Sequence, residues 1–414
     1  MAACFEIAQS LLDTSLQLIL MLFVAIISFV LLAYTYAGYP LLVRLWAKLA
    51  PRKWAMDDAY RPSVSIILSA YNEEMVVGRC TRSLLGLNYP EEKIEILCGS
   101  DGSSDSTNSI LSAMAEEHPI IRPFLFSRRR GKMLVLNDLV AQARNEILLF
   151  VDADITLDPN SLLAFTKHFA DSSIGAVAGR YVLLSPRRDG LFKSESAFLS
   201  FESNLRRNEA LVHSTVGLNG ANYAMRRSLW TPISNQHVHD DLFGVLQVIE
   251  QGKRVLYEEH AVAIENYGRT YRDEFLRKSR GSARGFQTLA AFPRLLFRGP
   301  VAWMIWPHKV LRFLTGYLAI AFLSSTILLY IQGTEWLRPI VAAEGVIFLL
   351  IAFGWLLRIS RKSIPVISEI YWFFEMNLAF LWGTLQYVFR QNTPTWSQTS
   401  QVLTLTKVEE AIHS

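Results

Sequence analysis

Charge is scarce and cysteine nearly absent in this chain of 414 residues: 19% are Asp, Glu, Lys or Arg, and three are Cys. Cys4, Cys80 and Cys98 form neither a disulfide framework nor the paired spacing of a metal site. They sit in apolar stretches and read as small packing residues of a reducing compartment. The net charge of +4, from 41 basic and 37 acidic residues, is too slight for a nucleic-acid binder. No repeat with a period of roughly 20 to 50 residues and no low-complexity tract occurs between Arg61 and Phe286. No G-x-G-x-x-G follows a strand-like run and no G-x-x-x-x-G-K-[ST] is present, so neither nucleotide fingerprint applies. What abounds is apolar surface: 51% of residues are hydrophobic, including 24 Phe, 15 Tyr and 10 Trp. That excludes disorder and argues against a wholly water-soluble globule, yet the charged residues are too many for a chain buried entirely in a bilayer.

The apolar excess lies at the two ends. Leu16 to Ala37 runs uncharged for about 22 residues, enough to cross a bilayer core. No basic residue precedes it, so it reads as a retained anchor and not a signal peptide. Arg44, Lys48, Arg52 and Lys53 follow, which places the N-terminus outside and the chain after Pro51 in the cytoplasm. Phe313 to Ile331 and Pro339 to Leu357, the latter carrying Glu344, form an outward and a returning span. Ile370 to Phe389, carrying Glu375, either spans or lies against the other helices. Gln287 to Trp306 mixes aromatic residues with Arg294 and Arg298, suits the membrane interface, and is broken by Pro293 and Pro300.

Between these ends the composition is that of a soluble domain. Val64–Ala70, Ile94–Cys98 and Ile147–Val151 are short apolar runs, each followed by acids, Gly or Asn. Amphipathic helical stretches separate them, with Val76, Val77, Cys80, Leu84 and Leu85 on one face of the first. The alternation predicts an α/β fold with a mostly parallel sheet, and ligands of such sheets bind beyond the strands' carboxyl ends. Asp152 and Asp154 end the last of these runs, two residues apart. That spacing suits a Mg²⁺ or Mn²⁺ that also holds phosphate oxygens, although an Asp-x-Asp at a strand end is as common in a plain turn.

The ordered set is more specific than any part. Ser65-Ile-Ile-Leu-Ser-Ala-Tyr-Asn-Glu-Glu74, Gly99-Ser-Asp-Gly-Ser-Ser-Asp105, Gly131-Lys132 with Asn137, and Val151-Asp-Ala-Asp154 resemble the signature of family 2 glycosyltransferases. Gly217-Leu-Asn-Gly-Ala221 with Arg226 resembles that family's acceptor-side glycine segment. His239-Asp240-Asp241-Leu242 is similar to its acidic pair, and Arg277-Lys278-Ser-Arg280 to its basic motif before the membrane helices.

The resemblance implies a GT-A fold, a UDP-sugar donor, inversion at the anomeric carbon, and a glycan or lipid-linked acceptor. By it, Tyr71, Glu73 and Asp101 hold the nucleoside, Lys132 approaches the base or diphosphate, and Asp152 faces ribose and diphosphate. Asp154 binds the metal, and Asp241 is the general base, with Gly220 and Asp240 on the acceptor side. Arg277 and Arg280 neutralise the departing diphosphate. Chemistry supports such a set: inversion needs a carboxylate beside the acceptor hydroxyl and positive charge on the leaving group, and no covalent nucleophile.

The corresponding organisation is a membrane anchor over 1–50, a catalytic domain over 61–268, the basic motif with interfacial helices over 269–306, and a membrane region with tail over 307–414. The setting implied is a bacterial inner or plasma membrane with the catalytic domain in the cytoplasm. Oligomeric state, sugar and linkage stay open.

Plainer roles compete at several positions. Tyr71 could pack under its loop, Asp105 could cap the next helix, and His239 could be a half-exposed loop residue. Arg128–Arg130, Arg187–Arg188, Arg206–Arg207 and Arg226–Arg227 read as solvated or membrane-facing charge. Chain-extending members of the family place a Trp where this sequence has Gly281, which puts processive synthesis and export in question; Trp303 and Trp306 read as interfacial anchors. Asp152-Ala-Asp154-Ile-Thr156 also fits the nucleophile motif of haloacid-dehalogenase-type phosphatases, although two β-α units precede it here.

Overall fold

Eight strands build one sheet in the computed structural model, which describes residues 2–185, 189–233 and 239–389. They are β1 (Val64–Ala70), β2 (Ile94–Asp101), β3 (Ile121–Phe126), β4 (Ile147–Asp152), β5 (Ile155–Leu157), β6 (Ile174–Leu184), β7 (Asn222–Arg226) and β8 (Arg254–Asn266). Their order is β3-β2-β1-β4-β7-β6-β8-β5. The first four run parallel, as the alternating sequence requires, while β7 is antiparallel to both neighbours and β5 is antiparallel to β8. Every residue of β1 and β2 is buried, as befits strands covered by helices on both faces. Register matters for the site: Ser69 of β1 lies level with Asp152 of β4 and with Gly99 of β2, so the three strand ends open onto one edge.

The flanking helices expose what a soluble protein hides. Leu16, Ile19, Leu20 and Phe23 of the first helix are all more than half exposed, as are Val346 and Leu349 of the Arg338–Ile359 helix. Among the described residues, two helical stretches are long and apolar enough to cross a membrane, Ser15–Leu49 and Glu335–Ile359. A third span is available if Gly299–Phe313 and Thr315–Ile331, bent by 66°, are taken together.

The helix Pro365–Val388 has a different place. It packs on the Tyr271–Ala291 helix, so closely that a Cβ on Gly383 would fall 2.1 Å from the Ser279 carbonyl. Its Trp372 Nε1 donates to Glu195 of the sheet domain at 3.1 Å, and Glu375 pairs with Arg358 at 2.8 Å. Glu344 accepts from Thr326 Oγ1 at 2.7 Å, so both acids of the C-terminal apolar segments are hydrogen-bonded between helices. The breaks at Pro293 and Pro300 divide the interfacial stretch into short helices, Pro293–Phe297 and Gly299–Ile305.

Candidate active site

The donor side forms where β4 ends. Asp152 Oδ1 accepts from Lys132 Nζ at 2.8 Å, and the same ammonium lies 2.6 Å from Asp240 Oδ2. Lys132 opens the Lys132–Gln142 helix directly after Gly131, whose φ of 98° few other residues adopt. A single cation thus clamps a β4 carboxylate to one from the Asp240–Glu250 helix. Lys132→Met leaves those two acids facing each other, and should lower stability by about 1–3 kcal/mol. A thermal melt of the purified variant checks it; an unchanged Tm would mean the clamp carries no load.

Beside the clamp, acids crowd together. Burial pushes Asp154 up to about 7, with Glu265 and Asp152 adding to the shift. Glu73 is pushed up to about 8 by burial, then by Asp154, Asp152 and Asp105. Arg269 is the nearby counter-charge, 3.9 Å from Asp154 and 2.5 Å from Glu265. Carboxylates held together with so little compensation are the oxygen donors a hard divalent cation takes. Across the mouth, His239, Asp240 and Asp241 offer ligand atoms within 4.8 Å of one another. The residues present therefore fit Mg²⁺ or Mn²⁺.

A pH effect follows from Glu73. Its folded-state pKa exceeds its unfolded one, so the folded chain binds more protons between about pH 4.5 and 8 and loses stability as pH rises through that window. Glu73→Gln should flatten that part of the Tm–pH curve and raise Tm near pH 8. An unaltered curve would place Glu73 in ordinary solvent.

The acceptor side is built on the start of the Asp240–Glu250 helix, where backbone N–H groups favour negative charge. The two acids are driven apart. Against the cost of burial, Lys132 holds Asp240 well below the usual carboxylate range. Burial and the charge of Asp240 push Asp241 well above it, while the Gly220 N–H donates to its carboxylate. One member of the pair is thus held as an anion, and the other has a raised affinity for a proton. A Cβ on Gly220 would lie 1.9 Å from Asp241 Oδ1, so only glycine lets this segment approach. His239 is a half-exposed residue at the N-cap position, its side chain 31% exposed. Its backbone N–H donates to Thr288 Oγ1, and burial lowers its imidazole to about 4, leaving it neutral at pH 7.

A cavity of about 1290 Å³ joins the two sides. Glu73, Asp152, Asp154 and Asp241 line it at the sheet, Arg277 and Arg280 along its flank, and Thr315, Ile320 and Phe348 where it passes between the apolar helices.

Several residues sit differently from the sequence reading. Asp101 is 3% exposed, and its two oxygens accept the Arg130 and Gly131 N–H groups at 2.7 and 2.8 Å. It fastens the 128–131 loop, with each oxygen accepting one backbone hydrogen bond. Gly102, at φ 69°, lets that loop come close: a Cβ there would meet the Arg128–Arg129 backbone at 2.5 Å. The Tyr71 ring lies under the Arg129 guanidinium, 4.0 Å away. Lys132 is engaged by two acids and is a clamp first. Arg277 lines the cavity but is tied to Glu274 at 2.7 Å and Glu195 at 3.5 Å.

Asp105 caps its helix through the Thr107 N–H. Arg226 binds the carbonyls of Phe169, Asp171 and Ile174 and is structural. Arg206 is buried, unlike its exposed neighbour Arg207. Arg187 and Arg188 lie outside the described residues. At Gly281 a Cβ would meet only His239 Nε2, at 3.8 Å. Trp303 packs on Tyr39 and Trp46, and Trp306 Nε1 donates to the Leu296 carbonyl.

With this geometry, residues 65–230 match the model of glycosyl transferase family 2. The chain carries a family 2 glycosyltransferase domain. A probable glycosyltransferase, YdaM of Bacillus subtilis (strain 168), is 23% identical over 57% of this chain and 58% of its own length. Beta-monoglucosyldiacylglycerol synthase of Trichormus variabilis is 29% identical over 40% and 36%. Poly-beta-1,6-N-acetyl-D-glucosamine synthase of Staphylococcus epidermidis is 34% identical over 28% of each chain. The matched segments thus span between about a quarter and three-fifths of these relatives.

Among solved structures, the mannosyltransferase PcManGT from Pyrobaculum calidifontis superposes with a TM-score of 0.69 at 22% identity, covering 89% of this chain and all of that one. The fold of the family 2 domain is GT-A. The phosphatase alternative falls with it. In the family 2 domain β4 is an interior strand preceded by three β-α units, and among the described residues Asp240 and Asp241 open a helix and follow no strand.

Arg269 and Glu265, which close the acid cluster, have no motif of their own. They lie just before the Thr270–Asp273 capping box, at the seam between the family 2 domain and the basic-motif helix. A cation immediately ahead of such a box was the available signal.

Proposed function

We propose that the protein is a membrane-bound inverting glycosyltransferase that moves a sugar from a nucleoside-diphosphate sugar to a glycan or lipid-linked acceptor. The carrying observation is one cavity that touches Asp152, Asp154 and Asp241 at the sheet and continues between the apolar helices. In this reading Asp152 and Glu73 face the donor, and Arg280 and Arg277 the diphosphate. Asp154, with acids across the mouth, would hold Mg²⁺ or Mn²⁺, which supplies electrostatic stabilisation of the leaving diphosphate when bound. Asp241 takes the acceptor's hydroxyl proton as its oxygen attacks the anomeric carbon and the diphosphate leaves with the bonding electrons. The N-terminus lies outside and the sheet domain in the cytoplasm, in keeping with Arg44, Lys48, Arg52 and Lys53 after the first apolar run. Gly281, which has no side chain to stack on a sugar, favours transfer of single sugars over chain extension.

The donor's nucleoside is set by the test. UDP-sugars are expected, and the GDP-mannose bound to PcManGT adds GDP-sugars to the panel. Purified full-length protein should release a nucleoside diphosphate from one donor only when Mg²⁺ or Mn²⁺ is present. Release from no donor, with or without metal, would refute the reading.

A further inference from the structure

Beyond the catalytic carboxylates, the cavity meets a second group of charges on the Gly190–Val212 helix and the 306–313 segment. Two acids there are fully engaged. Glu209 accepts from Tyr39 at 2.5 Å, from the Val216 N–H at 3.2 Å, and pairs with His308 Nδ1 at 2.7 Å. Glu202 is held by Arg312, by His308 Nε2 at 3.2 Å and by Arg206 at 3.3 Å. The cations are not used up. Arg206 and Arg312 are 9% and 7% exposed, yet Arg206 Nε and Arg312 Nε and Nη2 have no hydrogen-bond partner. Lys309 lines the cavity beside them, and the ion pairs of this cluster do not include it. Two guanidiniums and a lysine thus stand against two saturated acids, and leave buried nitrogen donors without partners in residues that line the cavity.

Two neighbours say what kind of anion. On one side is the acceptor segment: a Cβ on Gly217 would lie 3.1 Å from Lys309 Nζ and 3.3 Å from Arg206 Nε, while three residues on Gly220 touches Asp241. Three residues span at most about 10 Å, so the cations stand a sugar's length or so from the proposed base. On the other side the cavity continues past Thr315 and Gly316 to Ala319, Ile320, Leu323 and Phe348, a mostly apolar wall that also includes Glu344, hydrogen-bonded to Thr326, between helices apolar enough to enter a bilayer.

We propose that Arg206, Lys309 and Arg312 bind the phosphate of a lipid-phosphate-linked sugar acceptor. This inference rests on the transferase reading above. The hydrocarbon chain lies along Ile320, Leu323 and Phe348, the phosphate meets the three cations, and the first sugar spans the gap to Asp241. There its hydroxyl oxygen forms the new bond to the donor's anomeric carbon, the bond from that carbon to the diphosphate breaks, and the hydroxyl proton passes to Asp241.

The test uses the full-length protein in detergent with three probes and no donor: farnesyl phosphate, farnesol and inorganic phosphate, each titrated to a Kd. A hydrogen bond to a charged group is worth about 1.5–3 kcal/mol, so farnesyl phosphate should bind at least roughly tenfold more tightly than farnesol. Lys309→Gln should weaken farnesyl phosphate by about tenfold and leave farnesol unchanged, and Lys309→Arg should restore most of the loss. Arg206→Gln serves if the lysine variant does not fold. Inorganic phosphate should bind far more weakly than its lipid ester. Equal affinity for the ester and the alcohol, an unaffected glutamine variant, or inorganic phosphate binding as tightly as the ester would each overturn the proposal. Because no donor is present, a failed donor panel with intact farnesyl phosphate binding removes the transferase reading, while the reverse removes only this site.

Discussion

Asp241→Asn should lower kcat by about 10²–10⁴-fold while leaving donor binding close to that of the wild type. Asparagine keeps the shape, and can still accept from the Gly220 N–H, but cannot take a proton. The rate falls because the acceptor hydroxyl has no base. Stability should move the other way. Burial and Asp240 push the Asp241 carboxyl up, so its ionised form is disfavoured in the folded state and the neutral amide removes that cost. An inactive variant with an equal or higher Tm separates lost chemistry from lost folding. Asp240→Asn should behave differently, since its partner Lys132 would then be left with Asp152 alone.

Gly220→Ala is the second large effect. One methyl group placed 1.9 Å from Asp241 Oδ1 is far inside any contact distance, and the segment around it, from Ser214 to Leu218 and Ala221, is buried and cannot swing aside. The base must move by an ångström or more, which costs about 10²-fold in rate when the reacting groups are otherwise unchanged. The loss should appear in kcat, with donor KM little altered, because the donor carboxylates Asp152 and Glu73 lie at the ends of β4 and β1 and the displaced group does not. Gly281→Ala supplies the contrast. Its nearest neighbour would be His239 Nε2 at 3.8 Å, an ordinary contact, and near-normal rates are expected. If the two alanines behaved alike, steric control of Asp241 by Gly220 would be wrong.

Three of the four strands of the parallel half were legible because their signals are local, while β3, partly exposed and carrying Pro123, was not. Val64–Ala70, Ile94–Asp101 and Ile147–Asp152 are unbroken apolar runs ending in acids or glycine, with helical periodicity between. The mixed half, in which β7 and β5 run against their neighbours while β6 and β8 pair in parallel, carries no such punctuation. β6 and β8 are long, mix buried and exposed positions, and pair with a register shift, so their pairing depends on contacts remote in sequence. The site divides in the same way. Asp152 and Asp154 follow from spacing, and Asp241 from the family resemblance. That Asp101 turns inward to clasp the Arg130 and Gly131 N–H groups follows from how two loops meet, and spacing is silent on it.

Arg206 shows the opposite error. An Arg-Arg pair looks like solvated charge, but Glu202, Arg206 and Glu209 recur at helical spacing on one face and are all buried. Burying so much charge on one stripe requires partners on another element, and those come from His308 and Arg312, about a hundred residues away. No window along the chain contains both.

The central claim is direct displacement with Asp241 as the base on the acceptor side. The configuration of the transferred sugar, followed by NMR of its anomeric proton during turnover by the full-length protein, tests it most directly. An α-linked donor should give a β-linked product from the first detectable transfer. A product that keeps the donor's configuration would contradict the account, because retention needs a second displacement that Asp241 does not provide.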